Sequence, residues 1–270
     1  MSVTVSIIIV SHNASADLAR CLRSLHASPP DAAHEVVVVD NGSSDDSVGT
    51  ARRWPSVHVI VNGENVGFAR ATNIGIRASV GVNLLLLNGD TVVPPGAIDR
   101  LLAELDRDSS VAVVGPRLVD GDGRAELSFG RMIGPLNELR QQGAARGDVE
   151  RLTRERRYPD WVSGACLLVR RSDAEAVGLL DERFFMYTED VDFCAAVRDR
   201  GRRILFAPDV EVQHLRGRSV AAAQEATRQA YRQSQIAFYE KHHPRWTPFL
   251  RLYLRLRGFK TDVVSAFRRT

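Results

Sequence analysis

Four short apolar runs alternate with amphipathic segments along the first half of this 270-residue chain, and no other feature constrains the fold as strongly. Nearly every position within a run is apolar, which is typical of strands buried on both faces of a sheet. The predicted strands span residues 3–10, 35–39, 57–61 and 83–87. Helical spacing of apolar residues between the runs completes the prediction of an α/β fold, with a mostly parallel, Rossmann-like central sheet and helices on both faces.

Polar residues follow three of the runs directly. They are Ser11-His12-Asn13, Asp40-Asn41-Gly42 and Asn88-Gly89-Asp90. The carboxyl ends of parallel strands lie at one edge of a sheet, and open α/β sheets bind their ligands there. The three clusters together therefore predict a ligand site.

Asp90 is the strongest single candidate for chemistry. A buried apolar strand that ends in a carboxylate needs a compensating partner, and a divalent cation bridging the carboxylate to a diphosphate would supply one. The alternative is a carboxylate that caps the turn into Pro94-Pro95. His214 also has two interpretations, a packed core histidine or a metal ligand near Asp90.

Two segments could bind a nucleotide, and each has an ordinary structural interpretation as well. Asp40 either hydrogen-bonds the imide edge of a uracil or thymine, or satisfies the backbone amides of a turn. Gly67 and Arg70 combine a flexible glycine, a predicted helix start and a basic side chain, which suits a phosphate group. The same combination is common in helix caps.

An acidic cluster, Glu189-Asp190-Val191-Asp192, stands at the start of a helix predicted over residues 188–200. Acidic residues in a first helical turn are favoured by the helix dipole, which is the structural interpretation. The functional interpretation is a carboxylate that accepts a proton from an attacking hydroxyl.

The composition is that of a soluble globular protein, with 44% hydrophobic and 26% charged residues. The apolar runs are too short to span a bilayer, and the N-terminal sequence lacks the pattern of a signal peptide. Three scattered cysteines form no disulfide or metal-binding pattern, which predicts buried free thiols. We therefore expect a cytoplasmic protein.

The net charge of +3 is unevenly distributed along the chain. Residues 245–270 contain seven Lys and Arg residues and one Asp, a net charge of +6, which leaves −3 for the rest. This distribution argues against nucleic-acid binding by the domain. Large apolar residues alternate with arginines over residues 249–257, which predicts either a helix packed on the domain or a basic amphipathic segment on an anionic membrane surface.

The α/β pattern breaks between residues 117 and 159. This segment is either a solvated surface loop with a short helix, or a mobile acceptor-side loop whose arginines face an anionic substrate. The arginines concerned are Arg146, Arg151, Arg154, Arg156 and Arg157. A strand is predicted over residues 161–169, and a long helix over residues 221–242.

Six motifs together make the chain similar to the inverting glycosyltransferases of family 2 with the GT-A fold, and within them to the rhamnosyltransferase-like branch. The motifs are residues 5–13 (VSIIIVSHN), 37–45 (VVVDNGSSD), 65–75 (NVGFARATNIG), 86–90 (LLNGD), 161–165 (WVSGA) and 184–192 (FFMYTEDVD). The resemblance covers nearly the whole chain. It implies a nucleotide-sugar-binding half at residues 1–115, an acceptor-binding and catalytic half of the same domain at 116–220, and a basic amphipathic helical extension at 221–270.

The resemblance also implies a role for each matching residue. Asp190 would be the general base, with Glu189 beside it, and Asp90 and His214 would hold a divalent cation, Mg²⁺ or Mn²⁺. The donor-binding residues would be Ser11, Asn13, Asp40, Asn41, Asn65, Gly67, Arg70, Asn73, Asn88, Gly89 and Arg218. The acceptor-side residues would be Trp161, Gly164, Ala165 and Asp192.

One position departs from the family pattern. The first residue of the Asp-x-Asp metal-binding element is Asn88, and the branch usually has Asn-Pro-Asp where this chain has Asn-Gly-Asp. A single carboxylate would hold a cation less tightly, so cation binding would depend more on the donor diphosphate and on His214.

The implied reaction is a single displacement that inverts the anomeric carbon of a nucleotide sugar, with dTDP-L-rhamnose preferred over UDP-sugars. The acceptor would be a glycan or a polyprenyl-diphosphate-linked glycan, used in polysaccharide or cell-wall synthesis at the inner face of the membrane. A pyrophosphorylase-like nucleotidyltransferase is an alternative, although residues 11–16 lack the glycine-rich loop it would need. A second alternative is an inactive nucleotide-sugar-binding relative, which would be expected to lack Asp90 or Asp190.

Overall fold

A computed structural model describes residues 3–134, 146–215 and 224–261. The strands of these residues are β1 (Val5–Ser11), β2 (His34–Asn41), β3 (Val57–Asn62), β4 (Asn83–Asn88), β5 (Thr91–Val92), β6 (Val111–Val119), β7 (Phe129–Gly130), β8 (Trp161–Val162), β9 (Cys166–Arg170) and β10 (Arg203–His214). Their helices are α1 (Ser15–Ala27), α2 (Ser47–Arg52), α3 (Phe68–Arg77), α4 (Ala97–Arg107), α5 (Arg146–Leu152), α6 (Arg171–Ala176), α7 (Glu189–Asp199), α8 (Gln224–His242) and α9 (Thr247–Leu256). The four strands predicted in the first half are confirmed.

Eight of the strands form a mostly parallel central sheet, in the order β3-β2-β1-β4-β9-β6-β10-β5. β1 pairs in parallel with β2 and with β4, β2 pairs in parallel with β3, and β6 with β10. β9 runs antiparallel between β4 and β6, and β5 pairs antiparallel with the end of β10. Because β6 runs across residues 115 and 116, both predicted halves contribute to one sheet.

Helices cover both faces of this sheet, as the sequence predicts. Side chains alternate across a strand, so Ile7 and Ile9 of β1 pack with α1 and α4, whereas Ile8 packs with α3 and α7. A Cβ atom at Gly75 of α3 would lie 2.6 Å from Cγ2 of Ile8, so a larger residue would push the helix away from the strand. The predicted buried free thiols are also confirmed, at Cys21, Cys166 and Cys194.

The prediction of one strand over residues 161–169 is wrong, because two strands occupy this segment. β8 pairs with β7 outside the central sheet, whereas β9 enters the central sheet. β8 crosses over β6 at Gly115, where a Cβ atom would lie 2.6 Å from the Cβ atom of Val162. The turn between β8 and β9 carries Gly164 and Ala165 to the sheet edge described below.

The segment at residues 117–159 completes β6 and contains β7 and α5. Four of its arginines form ion pairs with carboxylates of the domain. These pairs are Arg151 with Asp148, Arg154 with Glu150, Arg156 with Glu104, and Arg157 with Glu155. The pairing favours the surface-loop interpretation over a loop that presents arginines to an anionic substrate. Residues 135–145 lie outside the described part of the chain.

α8 and α9 form the predicted C-terminal helical extension, which packs beside α7. Phe238 and Tyr239 of α8 contact Phe184 and Val191. Within the described ranges, no helix is both long and apolar enough to cross a membrane.

Candidate active site

The carboxyl ends of β2, β1 and β4 bring three predicted donor-binding residues side by side. Asp40 lies opposite Ser11 in the β2–β1 register, and Asn88 lies opposite Val10 in the β4–β1 register. Asp40 is 1% exposed and Ser11 is 2% exposed. Among the described residues, neither Asp40 Oδ1 nor Ser11 Oγ has a hydrogen-bond partner. Because buried polar atoms are nearly always paired with protein, ligand or ordered water in folded proteins, this pair of atoms is a candidate position for a polar ligand.

Asparagine side chains organise the loops around that pair. Asn13 Oδ1 accepts hydrogen bonds from the backbone N–H and the hydroxyl of Ser44. Asn41 Nδ2 donates to Asn65 Oδ1 at 2.9 Å, and Asn41 Oδ1 accepts from the Val66 N–H at 3.0 Å. Asn13, Asn41 and Asn65 therefore hold the loops beside Asp40 and Ser11 through bonds within the protein.

Gly67 connects the predicted donor side to the acidic segment. Its φ of 87° lies in the left-handed region, and a Cβ atom there would lie 2.7 Å from the carbonyl oxygen of Phe185. The Phe68 N–H donates to that same oxygen at 2.7 Å. The start of α3 is thus fixed against the loop that leads into α7, and glycine is the residue that permits this approach.

Asn73 and Arg70, also predicted to bind the donor, make different contacts. Asn73 is buried, donates from Nδ2 to Leu180 O and to Glu182 Oε1, and accepts from the Leu180 N–H. Arg70 Nε lies 3.9 Å from Glu182 Oε2, and its side chain is 59% exposed. Asn73 therefore holds the loop at residues 180–182. The guanidinium of Arg70, by contrast, is accessible to solvent.

The predicted general base is held by backbone amides at the start of α7. Asp190 Oδ2 accepts from the Gly164 N–H, and Oδ1 accepts from the Val191 N–H, both at 2.8 Å. Thr188 stands at the N-cap position, but it makes no side-chain capping bond and has a φ of 65°. Tyr187 also has a positive φ, of 71°. Two consecutive left-handed non-glycine residues are strained, and such strain is concentrated at functional sites.

Glu189 shares this site but is almost fully buried. Its side chain carries one oxygen, Oε2, without a hydrogen-bond partner among the described residues. Burial first, and then repulsion from Asp190, raise the pKa of Glu189 to about 8. Burial also raises the pKa of Asp190, although the N–H groups of Gly164 and Val191 oppose this effect. The N–H groups of Gly164 and Val191 therefore favour the negative charge on Asp190 over Glu189.

Replacing Glu189 by Gln is expected to change how stability depends on pH. Because the pKa in the folded state lies above its ordinary value, Glu189 stabilises the fold below about pH 4.5 and loses this contribution as the pH rises to about 8. Glu189→Gln should therefore gain roughly a few kcal/mol relative to wild type across this range. Urea unfolding at several pH values measures the difference, with Glu175→Gln on the exposed surface as control. Parallel curves for Glu189→Gln and wild type would show that Glu189 is ionised in the folded protein.

Asp90 follows the end of β4, and its side chain contacts His214 at the end of β10. Asp90 Oδ1 lies 3.2 Å from His214 Nε2, and Glu126 Oε2 lies 3.1 Å from His214 Nδ1. Burial lowers the pKa of His214, but the bonds with Asp90 and Glu126 outweigh it and raise this pKa to about 9. The Leu215 N–H donates to Asp90 O at 2.9 Å, which holds the end of β10 against this strand end.

Short contacts connect the Glu189–Asp190 pair with the Asp90–His214 pair. Gly164 binds Asp190, and the next residue, Ala165, accepts through its carbonyl oxygen from the Asn88 N–H at 2.9 Å. Asn88 is in turn two residues before Asp90. The base candidate, the predicted acceptor-side turn and the cation candidate therefore lie along one edge of the sheet.

The donor set at Asp90 and His214 fits a divalent cation. A carboxylate oxygen and an imidazole nitrogen lie next to each other, with side-chain exposures of 20% and 12%. Across the described residues, no cluster of three or more His, Cys, Asp or Glu side chains is arranged to hold a metal ion. A cation here would therefore need further ligands, such as water and the oxygens of a bound diphosphate.

Two residues predicted on the acceptor side have structural contacts. Trp161 donates from Nε1 to Arg131 O and lies against Gly130. Asp192 is 2% exposed, accepts from Lys241 Nζ at 2.8 Å, and contacts His242 Nε2 at 2.7 Å. Asp192 therefore ties α7 to the C-terminal extension and does not share the environment of Asp190. Arg218 lies outside the described residues.

Glu126 is the residue of this region that no sequence pattern predicts. It lies in the polar segment at residues 117–159, where no motif or periodicity distinguishes one carboxylate from another. Only the contact with His214, 88 residues away, identifies it.

Comparisons with known proteins identify the family and the fold of this chain. The family model described as Glycosyl transferase family 2 matches residues 6–177. The chain is 30% identical to the N-acetylglucosaminyl-diphospho-decaprenol L-rhamnosyltransferase of Mycobacterium tuberculosis, over 91% of this chain and 87% of that protein. It is 25% identical to the dTDP-rhamnosyl transferase RfbF of Shigella flexneri, over 67% of this chain and 60% of that protein.

Solved structures share the fold at low sequence identity. The mannosyltransferase PcManGT from Pyrobaculum calidifontis, in complex with GDP-Man and Mn²⁺, has a TM-score of 0.63 and 18% identity, over 91% of this chain and 67% of that chain. GalNAc-T7 with UDP, GalNAc and Mn²⁺ has a TM-score of 0.61 and 20% identity, over 79% of this chain and 44% of that chain. The predicted GT-A fold is thereby confirmed.

Proposed function

Since the chain belongs to glycosyl transferase family 2, and is thus a glycosyltransferase with the GT-A fold, we propose that it transfers L-rhamnose from dTDP-L-rhamnose to a polyprenyl-diphosphate-linked sugar. The observation that carries the proposal is the row of groups at one sheet edge, from the unpartnered atoms of Ser11 and Asp40 to Asp90 and Asp190. The activities of the M. tuberculosis and S. flexneri relatives support the choice of donor and acceptor. Family membership favours this function over a nucleotidyltransferase.

Each group at the edge has a task in a single inverting displacement. Asp40 Oδ1 accepts from the imide N–H of the thymine, and Ser11 Oγ binds a neighbouring polar atom of the nucleoside. Asp190 accepts the proton of the acceptor hydroxyl as that oxygen bonds to the anomeric carbon. The bond between the anomeric carbon and the diphosphate oxygen breaks on the opposite face, and the diphosphate leaves with the electron pair. The exposed Arg70 offers positive charge to the phosphates.

Asp90 and His214 are the residues that would hold the divalent cation. When bound, the cation would neutralise charge that develops on the leaving diphosphate. The imidazole donor favours a transition-metal ion such as Mn²⁺ over Mg²⁺, which takes oxygen ligands. Because Asn88 replaces the first carboxylate of the family element, we expect the cation to bind weakly without a nucleotide diphosphate.

Donor recognition is tested by calorimetry with dTDP-L-rhamnose, UDP-glucose, UDP-galactose and GDP-mannose, each with and without Mn²⁺. Cation-dependent binding of dTDP-L-rhamnose is expected. Asp40→Asn should weaken it roughly tenfold to a hundredfold, because the amide cannot accept from both the thymine and the Ser43 N–H. Asp46→Asn is the matched control, since Asp46 is in the same loop but 61% exposed. Equal binding by both variants, or no binding by wild type, would contradict the donor-site assignment.

A lipid-linked acceptor would be reached from a membrane surface. Helix α9 combines exposed apolar side chains with basic residues, which suits contact with such a surface. We define the α9 stripe as the apolar side chains of α9 and of its N-cap residue that are at least half exposed: Trp246, Phe249, Leu252, Tyr253 and Leu256. Leu250 and Leu254 face the protein instead. The excess of basic residues after residue 245 complements an anionic lipid surface. We propose that the stripe rests on anionic phospholipid.

Vesicle flotation tests this contact, using phosphatidylcholine with and without phosphatidylglycerol. The variant Phe249→Ser/Leu252→Ser/Leu256→Ser is expected to bind anionic vesicles roughly tenfold more weakly or worse, because it removes apolar area from the contact. Val80→Ser/Val82→Ser removes equally exposed apolar residues elsewhere and should bind like wild type. Failure of wild type to float with either vesicle, or unchanged flotation of the triple variant, would reject the proposal.

A further inference from the structure

Glu126 contacts the side of the His214 ring that faces away from Asp90. We propose that Glu126 is a positioning residue, which keeps His214 Nε2 directed at the cation by accepting a hydrogen bond from Nδ1–H. This inference rests on the proposed cation site, and it adds to that site a residue which does not touch the cation.

The geometry of the contact supports this role. Glu126 Oε2 lies 3.1 Å from Nδ1, and Asp90 Oδ1 lies 3.2 Å from Nε2. The two carboxylates therefore bind opposite nitrogens of one ring. A single ion cannot contact both nitrogens, so an ion shared by Asp90 and Nε2 would leave Glu126 to bind the remaining N–H.

The backbone around Glu126 holds its carboxylate in place. The Glu126 N–H donates to Leu118 O at 2.9 Å, directly beyond the tight turn in which the Asp120 N–H donates to Arg124 O. Gln213 Nε2 donates to Asp120 O, so this turn is also tied to the residue before His214. The Glu126 side chain is only 9% exposed. Glu126 and His214 therefore contact each other through their side chains, and bonds of neighbouring residues hold their two segments together.

An acceptor at Nδ1 has a definite effect on a histidine ligand. It favours the tautomer with the proton on Nδ1, which leaves the lone pair of Nε2 for the metal ion, and it fixes the orientation of the ring. A carboxylate acceptor also makes the ligand nitrogen more basic. Loss of such a partner typically weakens metal binding about 10–100-fold.

The test measures Mn²⁺ binding directly, with dTDP present, by calorimetry and by electron spin echo spectroscopy of the bound ion. Glu126→Leu is expected to raise the Kd for Mn²⁺ about 10–100-fold and to weaken the modulation from a coordinated imidazole nitrogen. Glu126→Gln retains an acceptor oxygen without the charge, so it should keep the nitrogen signal and lose less than about tenfold in affinity. Glu175→Gln, an exposed carboxylate elsewhere, should match wild type.

The outcomes separate this inference from the function proposed above. If wild type shows the nitrogen signal and both Glu126 variants keep wild-type affinity and signal, Glu126 does not position His214, whereas the cation site stands. If wild type binds no Mn²⁺, or shows no coordinated nitrogen, the cation site itself is wrong and the inference falls with it. If thermal melting shows that Glu126→Leu does not fold, Glu126→Gln alone decides. Loss of the nitrogen signal in Glu126→Gln would contradict the prediction that an uncharged acceptor is sufficient to position His214.

Discussion

Replacing Asp190 by Asn is expected to lower kcat for sugar transfer ~10²–10⁴-fold, while donor binding stays within a few-fold of wild type. The amide side chain has nearly the same shape but cannot accept the proton of the acceptor hydroxyl. Asp190 is the carboxylate that the Gly164 and Val191 N–H groups hold at the sheet edge, so its loss would remove the proposed base without removing a core residue. Initial rates with saturating donor, combined with donor calorimetry, separate the chemical step from binding.

The control for this variant lies on the same helix. Asp199→Asn makes the identical change at the exposed end of α7 and should retain full activity. The acidic limb of the pH–rate profile should also disappear in Asp190→Asn, because that limb reports protonation of the base. A rate for Asp190→Asn close to that of wild type would show that Asp190 is not the general base. Another group would then have to accept the proton, and the interpretation as a binding protein would be open again.

Replacing Asp90 by Asn is expected to remove most of the stimulation by Mn²⁺ and to lower kcat at least ~10²-fold, the usual loss when one group that stabilises developing charge is removed. Asp90 supplies the carboxylate next to His214 Nε2, and the chain has Asn88 where a second carboxylate would otherwise share this role. Mn²⁺ titrations of rate and of dTDP binding measure both effects.

The conservative variant Asp90→Glu serves as the comparison for Asp90→Asn. It keeps the charge but moves the carboxylate, so part of the lost rate should return at high Mn²⁺ concentration. Asp122→Asn, an exposed Asp paired with Arg124, should behave as wild type. Undiminished Mn²⁺ stimulation in Asp90→Asn would place the cation elsewhere.

Local sequence patterns predict most of the sheet and one edge of the site. The β1, β2 and β4 strands are runs of Val, Ile and Leu that need both faces buried, so their ends, and with them Asp40 and Asp90, are visible in the sequence. The GT-A fold and the family also follow from motifs within short segments. Such features depend on neighbours a few residues away.

The remaining features depend on residues far apart in the chain. Asn73 bonds to a loop 107 residues later, which no helix-start pattern reveals. Asp192 is paired with Lys241, 49 residues later. It lies in the same motif as Asp190, but its contacts hold α7 to the C-terminal extension. The insertion of β9 between β4 and β6 escapes prediction for the same reason, because the apolar run at residues 166–169 does not specify which strands it joins.

The position of β9 has a consequence for how the enzyme is made. During synthesis, β4 keeps an open edge until residues 166–170 have left the ribosome, and β6 has to wait for both of its neighbours, β9 and β10. Open strand edges pair readily with other chains, and distant pairings form slowly. The first 119 residues therefore contain the strand ends that carry Asp40 and Asp90, but β9 and β10, which complete the sheet, come later in the chain. We therefore expect the proposed donor-binding half to fold only together with the rest of the sheet.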